Sequence, residues 1–193
     1  GDLINKNYKI NSSEQEKLIK QMKKIKSTIG KYAILGEEDS NTFTTIMNQS
    51  NFTILNNSYE LIYKNSNTPI LLIGLNSSIT GAINIDQAYK YFTKSTHNND
   101  IFTISLLHEP DSVDNIISSY PTDIFLAGHS HNGQIALPYI GGIIKKEGAK
   151  NYINEFYQLN NSKLYISSGL GTNGNGIRLF CHPSINFFRL SSK

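Results

Sequence analysis

The sequence predicts an α/β fold, a sandwich of two mixed β-sheets flanked by helices. Three observations point to it. Short apolar runs alternate with helical segments early in the chain, further strand-like runs cluster late, and two apolar runs end directly in histidines, at His108 and at His129 with His131. With 193 residues, 38% of them hydrophobic, the chain can bury one core, whereas two domains would each be small. No linker or internal repeat divides it, so residues 1 to 193 read as a single domain.

The first helix is predicted after Ser12 and Ser13, possible caps, with Glu14 and Glu16 in its first turn. Leu18, Met22, Ile25 and Ile29 recur at helical spacing, and Gly30 ends the run. Residues 32 to 35 read as a short buried strand that opens into the polar loop Gly36-Glu37-Glu38-Asp39, followed by a helix over 42 to 48. Runs rich in Ile, Leu and Tyr at 52 to 55, 58 to 63 and 70 to 75 predict neighbouring strands, and 86 to 94 predicts a helix. The apolar run 101 to 107 delivers His108 at its end, Pro110 opens a helix to about 119, and the strand 123 to 127 ends at Gly128. A weakly patterned excursion fills 141 to 161, with a short hairpin or helix in it. Strands follow over 164 to 168, 177 to 181 and 185 to 190.

Composition excludes several classes of function. A net charge of +3 from scattered lysines, with no dense basic run, implies no nucleic-acid groove. Cys181 is the only cysteine, which rules out an internal disulfide framework and a cysteine-based zinc site, and suits strand packing. No stretch approaches the roughly 20 apolar residues of a membrane span, and no signal peptide opens the chain, which leaves the compartment open.

Histidines just beyond apolar strands are held by rigid backbone beside loops that leave an opening for substrate, as a metal site requires. A lone histidine in such a place is more often hydrogen-bonded or solvated. The pair His129 and His131, one residue apart in a turn eased by Gly128 and Gly133, can address two metals or opposite sides of a cleft, yet remains only suggestive by itself. His97 and His182 have no motif support and read as structural or solvated.

Five segments in order carry a resemblance: Gly1-Asp2, Gly36-Glu37-Glu38-Asp39, His108-Glu109-Pro110, Gly128-His129-Ser130-His131-Asn132-Gly133-Gln134, and Gly169-Leu170-Gly171 with Gly176-Ile177-Arg178. Together they resemble the calcineurin-like metallophosphoesterases, in the bacterial branch with a GHTHGGQ-type motif, over nearly the whole chain. The resemblance implies two divalent metals, manganese, iron or zinc, that share an aspartate and a hydroxide able to attack phosphorus in line. It makes Asp2 the bridging carboxylate, His108 and His129 ligands of one metal and His131 a ligand of the other. Glu37 joins the ligands of the first. Arg178 stands at the place of a family arginine that could meet a phosphate oxygen or pair with a loop carbonyl. The substrate class implied is a phosphorylated small molecule or a lipid-linked phosphate, as monoester, diester or pyrophosphate.

Two departures qualify the expectation. The family pattern has an Asp-x-His strand motif ahead of Gly-Asp, and the chain opens at Gly1 without a methionine, as a processed, tagged or truncated product would. The expectation is therefore a half site and a sheet lacking its first strands. The chain would continue upstream, or a second chain or a dimer contact would cover the gap. The family's Gly-Asn-His-Asp loop also reads Gly36-Glu37-Glu38-Asp39. Glu37 can replace an amide ligand but adds negative charge near a phosphate. Glu38 takes the place of a histidine that assists the leaving group, and would act as an acid only with a raised pKa. The competing reading of this loop is an exposed helix cap at Asp39 or Ser40, and of the chain, a degenerate fold that binds metal, nucleotide or a partner without turnover.

Overall fold

The computed structural model describes residues 1–64, 67–94, 100–137, 139–173 and 176–191. Its centre is a six-stranded mixed sheet. The strands are β3 (Ser58–Ile62), β4 (Ile70–Gly74), β5 (Thr103–Leu106), β6 (Ile124–Ala127), β9 (Phe156–Leu159) and β10 (Ser162–Ile166), in the order β3-β4-β5-β6-β10-β9. The four inner strands run parallel, and β3 and β9 pair antiparallel at the two edges. Strand β4 is covered on both faces, which is why its sequence is a continuous apolar run rather than an alternation. Leu71 and Ile73 face the main core with Tyr89, Val113, Ile116, Phe125, Leu164 and Ile166. Leu72 faces a second cluster with Ile34 and Leu55.

That second face is covered by a layer built from the first part of the chain. Helix α1 (Ser12–Lys23) packs on α2 (Asn41–Gln49) through Ile19, Phe43, Ile46 and Met47. Between them and the sheet lies a small parallel pair, β1 (Tyr32–Ala33) with β2 (Thr53–Ile54). The α/β class with a mixed sheet flanked by helices is thus as predicted. The arrangement brings the loops after β1, β5 and β6 together at one end, the crevice beyond the carboxyl ends of parallel strands where α/β folds place ligands.

Several elements differ from the sequence prediction. Helix α1 is capped by Asn11, whose side chain accepts from Glu14 N while Glu14 accepts from Asn11 N, and not by the following serines. It stops at Lys23, leaving Ile25 and Ile29 exposed, so the apolar period outran the helix. The segment 86 to 94 divides into α3 (Ile85–Ala88) and α4 (Lys90–Lys94), and Pro110–Ser112 forms a 3-10 turn ahead of α5 (Val113–Ile117). The excursion holds a two-stranded pair, β7 (Ala136–Leu137) with β8 (Gly141–Gly142), as well as β9. Residues 177 to 181 and 185 to 190 are not strands. Leu179 makes one bridge to Ile135, and among the described residues neither run is paired into a strand. Cys181 is buried there, whereas Phe187 is 92% exposed. His182 is exposed, and His97 lies outside the described residues. No helix of the described residues is long and apolar enough to cross a membrane.

Gly74 marks where the layers come closest. A Cβ there would overlap Leu55 Cβ and lie 3.0 Å from Ile34 Cγ2. Gly74→Ala should therefore destabilise the chain by about 1–3 kcal/mol through overpacking; an unchanged denaturant midpoint would show that the two layers are not in contact at this strand end.

Candidate metal centre

Three loops supply the site. Strand β5 runs through Leu107 into His108, β6 through Gly128 into His129, and the chain after β1 runs through Gly36 into Glu37. Asp2 arrives from the start of the chain and is tied down by Asp39, which the sequence suggested only as a helix cap. One Asp39 oxygen accepts from Asp2 N (2.7 Å) and Gly36 N (2.9 Å), and the other from Leu3 N (3.1 Å). The helix cap falls to Ser40, which accepts from Thr42 N. Asp2 in turn accepts from Glu38 N at 2.8 Å, so the Asp2 and Glu37 loops are cross-linked in both directions.

Asp2, Glu37, His108 and His129 converge, each offering one ligand atom, with these atoms all within 4.8 Å of one another. His108 and His129 are each 5% exposed. His108 Nε2 lies 3.0 Å from Asp2 Oδ2 and 2.7 Å from Glu37 Oε2, and His129 Nδ1 lies 3.0 Å from Glu37 Oε1. The two contacts to Glu37 are close but lack hydrogen-bond geometry: Glu37 Oε2 and His129 Nδ1 are both buried without a hydrogen-bond partner. His129 Nε2 donates to Glu147 O at 2.7 Å, which directs the lone pair of a neutral ring to Nδ1, towards Glu37. Buried electron pairs aimed at a common point are what a cation would satisfy. Two imidazoles and two carboxylates suit manganese, iron or zinc.

The electrostatics agree. Burial lowers the pKa of His108, but the Asp2 and Glu37 carboxylates more than offset it and raise it to about 9. Burial pushes Glu37 up, and the two histidines outweigh that and hold it below the ordinary carboxylate value. Without a metal, a proton on His108 therefore balances the carboxylates.

The other predicted residues are placed differently. His131 stands outside the four-residue group, with Nδ1 buried and unpartnered. Burial, then Lys146 and Arg178, lower its pKa to about 4, so the ring is neutral near pH 7. Glu38 turns its carboxylate to Lys6 N, at 3.2 Å. Arg178 serves the late glycine turn: Nη2 donates to the carbonyls of Ser168 (2.7 Å), Gly169 and Gly171, and Nε to Gly171 O.

The motif backbone is also informative. His129, His131, Asn132 and Gln134 all have φ between 49° and 61°, a left-handed region costly for non-glycine residues. Asn132 accepts that angle, as its residue type suggests. Gly133 is needed for space as well, because a Cβ would come within 2.6 Å of Gly142 Cα. At Gly128 a Cβ would meet nothing within 4 Å, so no close contact demands this glycine. Gln134, given no role from sequence, clamps the turn by donating to Asn173 O and Ile177 O and accepting from Asn173 N.

Because a metal ligates only the neutral imidazole, uptake must displace the His108 proton. Calorimetry with Mn²⁺ should show affinity rising from pH 6.5 to 9. Asp39→Ala, which frees the Asp2 and Gly36 amides, should weaken binding by about 10- to 100-fold; affinity that is flat with pH and indifferent to Asp39 would refute the site.

No family model and no solved structure matches the chain. Curated relatives do. The chain is similar to the uncharacterized metallophosphoesterase YkuE of Bacillus subtilis, 29% identical over 180 residues that cover 91% of this chain and 61% of that protein. It is 31% identical over 85 residues to the phosphodiesterase YaeI of Escherichia coli, covering 44% of this chain and 31% of that one. It is also 30% identical over 143 residues to the UDP-2,3-diacylglucosamine pyrophosphatase LpxG of Chlamydia muridarum, covering 64% and 42%. The chain thus spans less than two thirds of the length of these relatives. These relatives are named as a metallophosphoesterase, a phosphodiesterase and a pyrophosphatase, and in sequence and in its histidine and carboxylate centre at strand ends the chain is similar to the calcineurin-like metallophosphoesterases.

Proposed function

We propose that this chain works as a metal-dependent phosphoesterase. The observation that carries the reading is the convergence of Asp2, Glu37, His108 and His129, with Glu37 Oε2 and His129 Nδ1 buried and unpartnered between them. A divalent cation held there would supply positive charge to phosphoryl oxygens and make water acidic enough to serve as a nucleophile near neutral pH. The chain's own residues do the rest. The Asp39 clamp fixes Asp2, and the Glu147 carbonyl orients His129. His131, whose ring is neutral, would hold a second metal together with Asp2, as in the two-metal pattern that the resemblance implies. Glu38 is the group to give a proton to the leaving oxygen, which requires its carboxylate both to leave the Lys6 amide and to take up a proton first.

For the substrate we favour a phosphodiester or pyrophosphate bond in a small or lipid-linked molecule, in keeping with relatives named as a phosphodiesterase and a UDP-2,3-diacylglucosamine pyrophosphatase. The domain is proposed to act as one unit over residues 1 to 193.

Glu37 also favours a second reading, a centre that holds metal without turnover. With Asp2 it places two negative charges on one divalent ion, leaving little net charge to attract a phosphate. Hydrolysis of bis(p-nitrophenyl) phosphate with Mn²⁺ separates the two. Under the first reading, turnover depends on Mn²⁺, falls by about 100-fold or more in His108→Ala, and rises in Glu37→Asn, which removes the extra charge. Metal uptake without His108-dependent turnover would leave the second reading standing.

A further inference from the structure

We infer that Lys146 is an anion-binding residue of this cleft, its ammonium receiving a phosphoryl oxygen of the substrate beside the metal centre. The inference rests on the phosphoesterase reading and deepens it, because it names the group that recognises phosphate. No motif of the sequence marks Lys146, which follows β8 within the weakly patterned excursion.

The structure holds this lysine by its backbone. Lys146 O accepts from Ala149 N at 3.1 Å, and the next carbonyl, Glu147 O, accepts a hydrogen bond from His129 Nε2 at 2.7 Å. Gly148 O accepts from Asp111 N at 2.9 Å, and Asp111 accepts from the amides of Lys150, Asn151 and Tyr152. Gly148 has φ 77°, and a Cβ there would lie 2.8 Å from Glu109 Cγ, so the turn packs directly against the residue after His108. The segment carrying Lys146 is therefore built onto both histidine loops.

Its ammonium is underused. Nζ makes one long contact, 3.5 Å to His129 O, and joins none of the ion pairs found among the described residues. An ammonium has three donors, so most of its capacity is open. It is only partly exposed, and the carboxylates of Glu37, Asp2 and Glu38 and the Arg178 guanidinium all act on it. A half-buried cation without a paired carboxylate is costly unless a ligand completes it. Once a divalent ion offsets Asp2 and Glu37, the charge of Lys146 is left facing the cleft, where a phosphate would meet it as a compact point charge. Arg178 does not compete for this role, since its Nε and Nη2 are spent on carbonyls and its Nη1 lies on Cys181 Sγ at 3.5 Å.

The test measures binding of inorganic phosphate to the Mn²⁺-loaded chain by calorimetry, for the unsubstituted chain, Lys146→Met and Lys146→Arg. Expected is Mn²⁺ uptake retained in all three. Phosphate affinity should fall by about 10- to 100-fold in Lys146→Met, the scale of one charge-assisted hydrogen bond, and recover in part in Lys146→Arg. Equal phosphate affinity in Lys146→Met, or no phosphate binding by the loaded unsubstituted chain, overturns the inference. A chain that binds phosphate through Lys146 but hydrolyses no ester upholds it while the hydrolase reading falls.

Discussion

A carboxylate oxygen and the lone pair of an imidazole repel when they face each other at 3 Å without a proton or cation between them. The chain nevertheless holds Glu37 against His129 Nδ1 at that distance and against His108 Nε2 closer still. The rest of the centre depends on this arrangement. In the metal-free chain the raised pKa of His108 supplies the missing positive charge as a proton. A divalent cation would supply the same charge, since each of the four residues offers it one donor atom.

Holding mutually repelling groups together requires a rigid frame, and the fold supplies it at two levels. The parallel strands β5 and β6 end side by side and set the His108 and His129 backbones. The Asp2 and Glu37 loops have no such strand pairing, and Asp39 does the equivalent by accepting from three backbone amides. Around the histidine motif the frame is strained rather than regular, with four non-glycine residues between 129 and 134 at positive φ. The Gln134 side chain, hydrogen-bonded to the 173 and 177 backbone, and the contact of Gly133 on Gly142 keep that turn from relaxing.

Charge is partitioned across the cleft. The carboxylates of Asp2 and Glu37 lie in the four-residue group, while at His131 burial, reinforced by the charges of Lys146 and Arg178, keeps the ring neutral. The two cations differ in kind. Arg178 is saturated by carbonyls and acts as a structural tie of the glycine turn, whereas Lys146 has donors to spare. A tetrahedral anion between a divalent ion held by these residues and Lys146 would meet positive charge from both directions. The carboxylate at Glu37 works against it, by reducing the net charge of a bound ion.

What the sequence determined by itself is local. Apolar runs ending in His108 and His129, the histidine spacing of the motif and the carboxylate loop after a buried run were all legible, and with them the α/β class and the four side chains that converge, though not the separation of His131 from them. These signals survive because a strand projects the residue at its end in one direction whatever the rest of the chain does. Tertiary structure decided the rest. The late apolar runs at 177 to 181 and 185 to 190 carry strand-like composition, yet a strand forms only where another backbone lies alongside, which no local pattern reveals. Whether Asp39 caps a helix or clamps Asp2, whether Glu38 faces the cleft or Lys6, and whether Arg178 meets solvent or carbonyls depended on partners between 7 and 37 residues away. Lys146 left no trace in the pattern at all. Its place beside the centre comes from the closure of the 141 to 150 segment onto His129 and Asp111, a hydrogen-bonded fit between distant backbones that residue types alone do not encode.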